Sequence, residues 1–251
     1  MHLEDMFGLG GRTALVTGGS SGIGRAIAGA LAAAGAHVVV AARTGTTIDA
    51  TVAAILADGG SADEIVADLS TRAGAHALAD AVGDVDVIVS SAGINLRPPM
   101  PDLDDATWDA TMAVNLDAPF VLGQRLAPGM ARRGYGRLIH ISSQQAHRAF
   151  AASGAYGVSK AALEGLARSQ AEAWSAHGVT ANVLVPGFVP TPLNERLSSD
   201  PTTVEALAAR TLVGRNGRPE DFAGPAVFLA SPASAYVTGQ SIAVDGGFSV
   251  H

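Results

Sequence analysis

Short apolar runs and helical stretches alternate along this chain. Residues 13–17 form an apolar run that leads at once into Gly18-Gly19-Ser20-Ser21-Gly22-Ile23-Gly24, and a helical pattern follows over 25–34 until Gly35. The run His37-Val-Val-Val-Ala-Ala42 predicts a second strand, 48–57 a helix closed by Gly59-Gly60, and 64–67 a strand ending at Asp68. A helix over 72–82 and a strand over 85–89 come next, the latter ending in Ser90-Ser91-Ala92-Gly93. Strands separated by helices of this length need right-handed crossovers, which build a parallel sheet with helices on both faces.

The second half keeps the rhythm. Pro98, Pro99 and Pro101 break the chain into a loop, and helices are predicted over 107–115 and 118–133, the second with a kink at Pro128-Gly129. A fifth strand spans 136–142. A long helix spans 155–177, with the small residues Ala161, Ala162 and Gly165 along one side. A sixth strand over 179–185 ends in Pro186-Gly187. Residues 193–215 have weak periodicity and many polar positions, which reads as a mobile helical lid. Pro219 suits the first turn of a helix over 219–230. A last strand over 240–244 leads into Asp245-Gly246-Gly247. No linker, repeat or low-complexity tract interrupts this order, so one domain over residues 1–251 is expected, an α/β fold built on a doubly wound parallel sheet.

Composition narrows the functional classes. The chain is 48% hydrophobic and only 16% charged, which supports a sizeable core and argues against disorder. A net charge of −7 offers no basic face for nucleic acid. With no cysteine there is no disulfide framework, thiol nucleophile or zinc–thiolate site, and no metal centre is expected. The opening residues are acidic and lack a signal-peptide core, and no apolar run approaches membrane-spanning length. A cytoplasmic protein is the expectation.

Three features carry candidate chemistry. The glycine cluster lies between a strand and a helix, where glycine permits a sharp turn and close approach to a pyrophosphate, and the helix N-terminus offers free N–H groups. The second strand ends in Ala42-Arg43-Thr44, with no acid to hold a ribose 2′-hydroxyl; an arginine there suits a 2′-phosphate, which favours NADP(H) over NAD(H). Third, Lys160 is the only lysine in the sequence, and Tyr156 precedes it by four residues, on the same helical face.

Taken in order, these motifs resemble the short-chain dehydrogenases/reductases, from about Leu9 to Phe248. Thr17-Gly18-x-x-x-Gly22-x-Gly24 looks like the cofactor turn of that family, and Tyr156-x-x-x-Lys160, with Ser143 thirteen residues before the tyrosine, matches its catalytic signature. Asn115 in Val-Asn-Leu matches the family's asparagine. Asp68 matches its adenine-contacting acid, and Pro186-Gly187-Phe-Val189-Pro-Thr191 is similar to the segment that clasps the nicotinamide. The resemblance implies a Rossmann-like sheet of about seven strands and a homotetramer with the long Ala- and Gly-rich helix at one interface. It also implies cofactor contacts at Gly18, Ser20, Ser21, Gly22, Ile23, Gly24, Arg43, Asp68, Leu69, Ala92, Gly93, Tyr156, Lys160, Pro186, Gly187, Val189 and Thr191. Two positions depart from the pattern. Ser90-Ser91 replaces the usual asparagine before Ala92-Gly93, and Ser21 stands where many NADP-using members carry a basic residue. The opening 7–12, the loop 93–100 and the segment 228–234 resemble gluconate 5-dehydrogenase-like members most.

The implied chemistry is hydride transfer between nicotinamide and a ketone or secondary alcohol, with the catalytic residues Asn115, Ser143, Tyr156 and Lys160. An unperturbed tyrosine has a pKa of about 10, so a nearby ammonium is expected to favour its phenolate. Ser143 is expected to polarise the carbonyl, with Ser142 its competitor for the role. Asn115 is expected, by resemblance, to hold a water that connects Lys160 to solvent. His140 and His147 receive no catalytic role. Asn95, Arg97, Gln144, Gln145 and Arg148 follow strand ends, where ligands bind in open α/β sheets, and are the candidate substrate contacts. An arginine among them would suit a sugar acid. The alternatives are a 3-oxoacyl carrier-protein reductase, a broad ketone reductase and, in another class, a non-catalytic dinucleotide-binding regulator. A regulator would have no use for both Tyr156 and Lys160.

Overall fold

The apolar runs become seven parallel strands, and the β-branched side chains of the central ones are covered on both faces. The strands are β1 (Thr13–Thr17), β2 (His37–Ala42), β3 (Ser61–Val66), β4 (Val87–Ser90), β5 (Gly136–Ile141), β6 (Val179–Pro186) and β7 (Ser241–Val244). They lie in the order β3-β2-β1-β4-β5-β6-β7. These positions come from a computed structural model that describes residues 2–250; Met1 and His251, the ends of the expected 1–251 domain, lie outside the described residues. Every residue of β4, β5 and β6 is buried, whereas the outermost strands β3 and β7 alternate or are largely open.

Helices cover both faces. On one face, α2 (Gly22–Ala33), α3 (Gly45–Ala57) and α10 (Ala223–Ala230) pack Ile27, Leu31, Ile48, Ile55 and Leu229 against Val16, Val38 and Val89. On the other, α4 (Arg72–Val82), α6 (Ala118–Arg133) and α7 (Gly154–Trp174) pack Leu78, Leu122, Met130 and Ala171 against Leu15, Ile88 and Leu138. The strand order reverses between β1 and β4. Their C-terminal ends therefore diverge into a crevice, the position where ligands bind in such sheets.

The differences from the sequence expectations have local causes. A short helix, α1 (Leu3–Phe7), precedes the first strand. The helices expected over 107–115 and 118–133 form one continuous run: α5 (Asp105–Met112) passes through a π-turn at Ala113–Asp117 into α6. β3 starts at Ser61, earlier than expected, because an edge strand opens with polar Ser61 and Asp63, which no apolar count would include. The expected lid contains α8 (Glu195–Ser198) and α9 (Pro201–Ala209), and the segment after Pro219 opens as a 3₁₀ turn before α10. Among the described residues no helix is long and apolar enough to cross a membrane.

Candidate active site

The turn between β1 and α2 is shaped by close approach. Gly18 has φ of +65°, and a Cβ there would stand 2.7 Å from the Ala92 backbone nitrogen. A Cβ on Gly24 would stand 2.3 Å from the Gly18 carbonyl oxygen. Only glycine lets the β1 and β4 tips and the start of α2 converge this tightly. Ser21, the N-cap of α2, makes no side-chain capping bond, so the first N–H groups of the helix open toward the crevice.

Two adjoining cavities meet at Gly18, Ser21, Ala92 and Gly93 and form one groove along the sheet's C-terminal edge. The first is lined by Gly22, Ile23, Gly24, Asn95, Arg97, Ser143, Gln144, Gln145, Tyr156, Lys160, Pro186, Gly187, Val189 and Thr191. The second is lined by Ser20, Arg43, Asp68 and Leu69. All the residues expected at the cofactor thus fall on one continuous surface.

The serines that replace the family's asparagine leave the β4 tip secured in another way. Thr17 Oγ1 donates to the Val89 carbonyl and accepts from the Ala92 N–H, both at 3.3 Å. Asn115 then braces the loop beyond: its Oδ1 accepts from Ile94 N at 2.9 Å, and its Nδ2 donates to Ile94 O and to Ser159 Oγ, each at 3.0 Å. Asn115 is wholly buried in the π-turn and does not line the groove. Its side-chain amide is committed to protein partners, which makes it a brace of this loop.

Ser143, Tyr156 and Lys160 converge behind this loop. Ser142 also lines the groove but is excluded from the role of Ser143, because its hydroxyl proton is committed to Glu164 Oε1 at 2.9 Å. Tyr156 and Lys160 are buried at 6% and 4% exposure, on adjacent turns of α7. Burial pushes the phenol up to about 12, and the Ser143 hydroxyl and the positive field of Arg97 act against it. Burial also pushes the Lys160 ammonium down to about 8. Lys160 Nζ donates to the Ile141 carbonyl at 2.8 Å and lies 5.6 Å from the centre of the Tyr156 ring. Arg97 is thus a second cation beside Tyr156 that opposes its burial, in addition to the Lys160 ammonium the sequence pointed to.

The substrate candidates divide. Asn95, Arg97, Gln144 and Gln145 line the groove beside Tyr156. Arg97 is held below the usual arginine range by burial and then by the like charge of Arg196. It donates to the Ala151 carbonyl. Arg148 does not line the groove, a correction to the sequence reading: its guanidinium donates to the Phe248 and Ser249 carbonyls and fastens the C-terminal segment. At the other end Arg43 is exposed, and Asp68 is held below the usual carboxylate range by hydrogen bonds from the Ser70 backbone and hydroxyl, at 3.0 and 2.9 Å.

Sequence reasoning missed Phe188, Leu193, Asn194 and Leu197, which also line the groove. The available signal was the polar segment directly after the Pro186-Gly187 strand end. Asn194 organises it, with Nδ2 donating to Val189 O at 2.7 Å and Oδ1 accepting from Thr191 N at 3.0 Å.

Known proteins with this arrangement span the same length. The family model described as enoyl-(acyl carrier protein) reductase matches residues 18–249. Gluconate 5-dehydrogenase of Gluconobacter oxydans is 37% identical over 254 residues, covering 100% of this chain and 99% of the relative. The rhamnolipids biosynthesis 3-oxoacyl-[acyl-carrier-protein] reductase of Pseudomonas aeruginosa is 39% identical over 255 residues, covering 98% and 99%. The crystal structure of a gluconate 5-dehydrogenase from Burkholderia cenocepacia in complex with NADP and tartrate superposes with a TM-score of 0.94 at 37% identity, covering 100% of both chains. With matches of this length and identity, the chain belongs to the short-chain dehydrogenase/reductase family.

Proposed function

We propose that this protein is an NADP(H)-dependent oxidoreductase that interconverts a ketone and a secondary alcohol on a polyhydroxy acid of the gluconate type. One observation carries the substrate class. Three side chains that line the groove beside Tyr156 each carry a buried polar atom without a protein partner: Asn95 Oδ1, Arg97 Nε and Gln144 Oε1. Buried polar atoms without partners are costly, so a ligand toward which these side chains turn, and which satisfies them, gains both affinity and selectivity. A carboxylate fits the guanidinium, and hydroxyls fit the two acceptors. No aspartate or glutamate lines this part of the groove among the described residues, so an anionic ligand meets no like charge. The gluconate 5-dehydrogenase relative and the tartrate-bound structure support the same class.

The groove fits a dinucleotide. The Gly18 cradle leaves space that a Cβ would fill, the α2 N-terminus offers its N–H groups to a pyrophosphate, and exposed Arg43 suits a 2′-phosphate. When bound, the nicotinamide supplies or accepts the hydride. Ser143 donates a hydrogen bond to the carbonyl oxygen. In reduction Tyr156 gives its proton to that oxygen as the carbonyl carbon gains the hydride; in oxidation it takes the proton back. A phenol pushed up to about 12 keeps its proton at neutral pH, which suits the donor role, while Ser143, Arg97 and Lys160 surround the phenolate left behind. Asn115 fixes the loop against which the cofactor would lie.

The reading extends to a single domain over 1–251 working as a homotetramer in the cytoplasm. One sheet receiving all seven strands supports the first. Exposed Trp108 and Val158 on neighbouring α5 and α7, beside Ala161, support an assembly face there. A second substrate reading, a 3-oxoacyl thioester, is favoured by exposed apolar Leu96 and Leu193 near the groove.

A panel of gluconate-type acids, neutral polyols and 3-oxoacyl thioesters, assayed with both nicotinamides, tests these readings. Arg97→Gln should raise KM for the acid on the order of tenfold, the worth of one charge-assisted hydrogen bond, and leave KM for a neutral polyol within about twofold. An equal rise for both would remove the carboxylate from the site, and preferred turnover of the thioester would favour the second reading.

A further inference from the structure

Glu164 lies outside this reaction, yet it is built into the catalytic layer. It sits on α7 one turn after Lys160 with 5% of its surface exposed. Its Oε1 accepts from Ser142 Oγ at 2.9 Å and lies 3.1 Å from His147 Nε2, and its Oε2 accepts from Ser241 Oγ at 3.0 Å. The Ser142 hydroxyl also lies 3.2 Å from the Lys160 carbonyl. A buried carboxylate is expensive, and its retention is reasonable where it fixes geometry.

The partners define that geometry. Ser142 and His147 are the two ends of the short segment that carries Ser143, Gln144 and Gln145, and Glu164 holds both. Within the segment Ser143 Oγ accepts from Gln145 N at 3.2 Å, and Ser153 Oγ donates to Gln145 Oε1 at 2.9 Å. Both ends of the segment are thus fastened to the helix that presents Tyr156 and Lys160, with Ser241 at the start of β7 as a third support.

We propose that Glu164 is a positioning residue that sets the distance between Ser143 and Tyr156, by clamping both ends of segment 142–147 to the helix that carries the tyrosine. The inference rests on the reading of Ser143 as the hydroxyl facing the reacting oxygen. Two readouts on the full chain, with and without NADP, test it. The chain has three tyrosines, so ζ-¹³C-tyrosine NMR resolves Tyr156. Glu164→Ala should displace the Tyr156 resonance in the direction seen with Ser143→Ala, leave Tyr135 and Tyr236 in place, and add nothing in the Ser143→Ala background. In ketone reduction Glu164→Ala should lower kcat about tenfold, the scale of a sub-ångström misplacement, but less than about twofold in the Ser143→Ala background.

An unmoved Tyr156 resonance, or losses that multiply across the two variants, would overturn the clamp. Should Glu164→Ala fail to fold, His147→Ala and Ser241→Ala each remove one leg from an exposed position and should reproduce the pattern at smaller amplitude; no shift in either would count against it equally. If the parent reduces no ketone while the resonance moves as expected, the clamp stands and the functional reading falls.

Discussion

The two ends of the groove are built on opposite principles. At the Tyr156 end the key groups are side chains, deeply buried, with ionisation displaced by desolvation: the phenol up to about 12 and the ammonium down to about 8. At the Arg43 end they are backbone N–H groups, a glycine turn and exposed side chains. Low dielectric makes each charge count at the first end, whereas solvent screens the second. The catalytic end should therefore tolerate no change in chemistry, and the adenosine end should tolerate changes that alter only preference.

That contrast orders the expected effects. Tyr156→Phe should lower kcat by at least about a thousandfold, because no other proton donor occupies its place, while the NADPH dissociation constant measured by fluorescence stays within about twofold. Substantial turnover by this variant would break the contrast at its strongest point. Lys160→Arg should cost on the order of a hundredfold despite keeping the charge, since the planar guanidinium cannot reuse the narrow site beside the Ile141 carbonyl. With positive charge less well placed, the phenolate is less stabilised, so the pH optimum of oxidation should move upward. An unchanged pH–kcat profile would put the Lys160 charge outside the reaction. Arg43→Asp should have the smallest effect, about a tenfold shift of the kcat/KM ratio from NADPH towards NADH with kcat for the better cofactor nearly preserved. A parent enzyme with equal kcat/KM for both cofactors would remove Arg43 from the recognition of the 2′-phosphate.

Much of the site was legible because its motifs are local. A glycine turn must follow a strand immediately, and Tyr156 and Lys160 share a helical face by spacing alone. The residues whose roles changed are those that depend on distant neighbours. Arg97 and Arg148 look equivalent in sequence, each in a loop after a strand end. Arg97 turns into the groove with a buried, unpaired Nε, and Arg148 reaches a hundred residues along the chain to the Phe248 carbonyl. Asn115 and Glu164 carried no sequence signal for the contacts they make with Ile94, Ser142, His147 and Ser241.

By itself the sequence determined the parallel α/β sheet, because apolar period and glycine placement act within one strand–helix unit. It also singled out Ser143, Tyr156 and Lys160, which the fold brings to one groove. Tertiary structure decided that Arg97 joins Lys160 beside Tyr156, which polar atoms are left unpaired there, and what holds Ser143 at its distance. Those outcomes depend on burial and on fields summed across several elements. Local sequence fixes neither, since desolvation is a property of everything packed around a group and not of its neighbours along the chain.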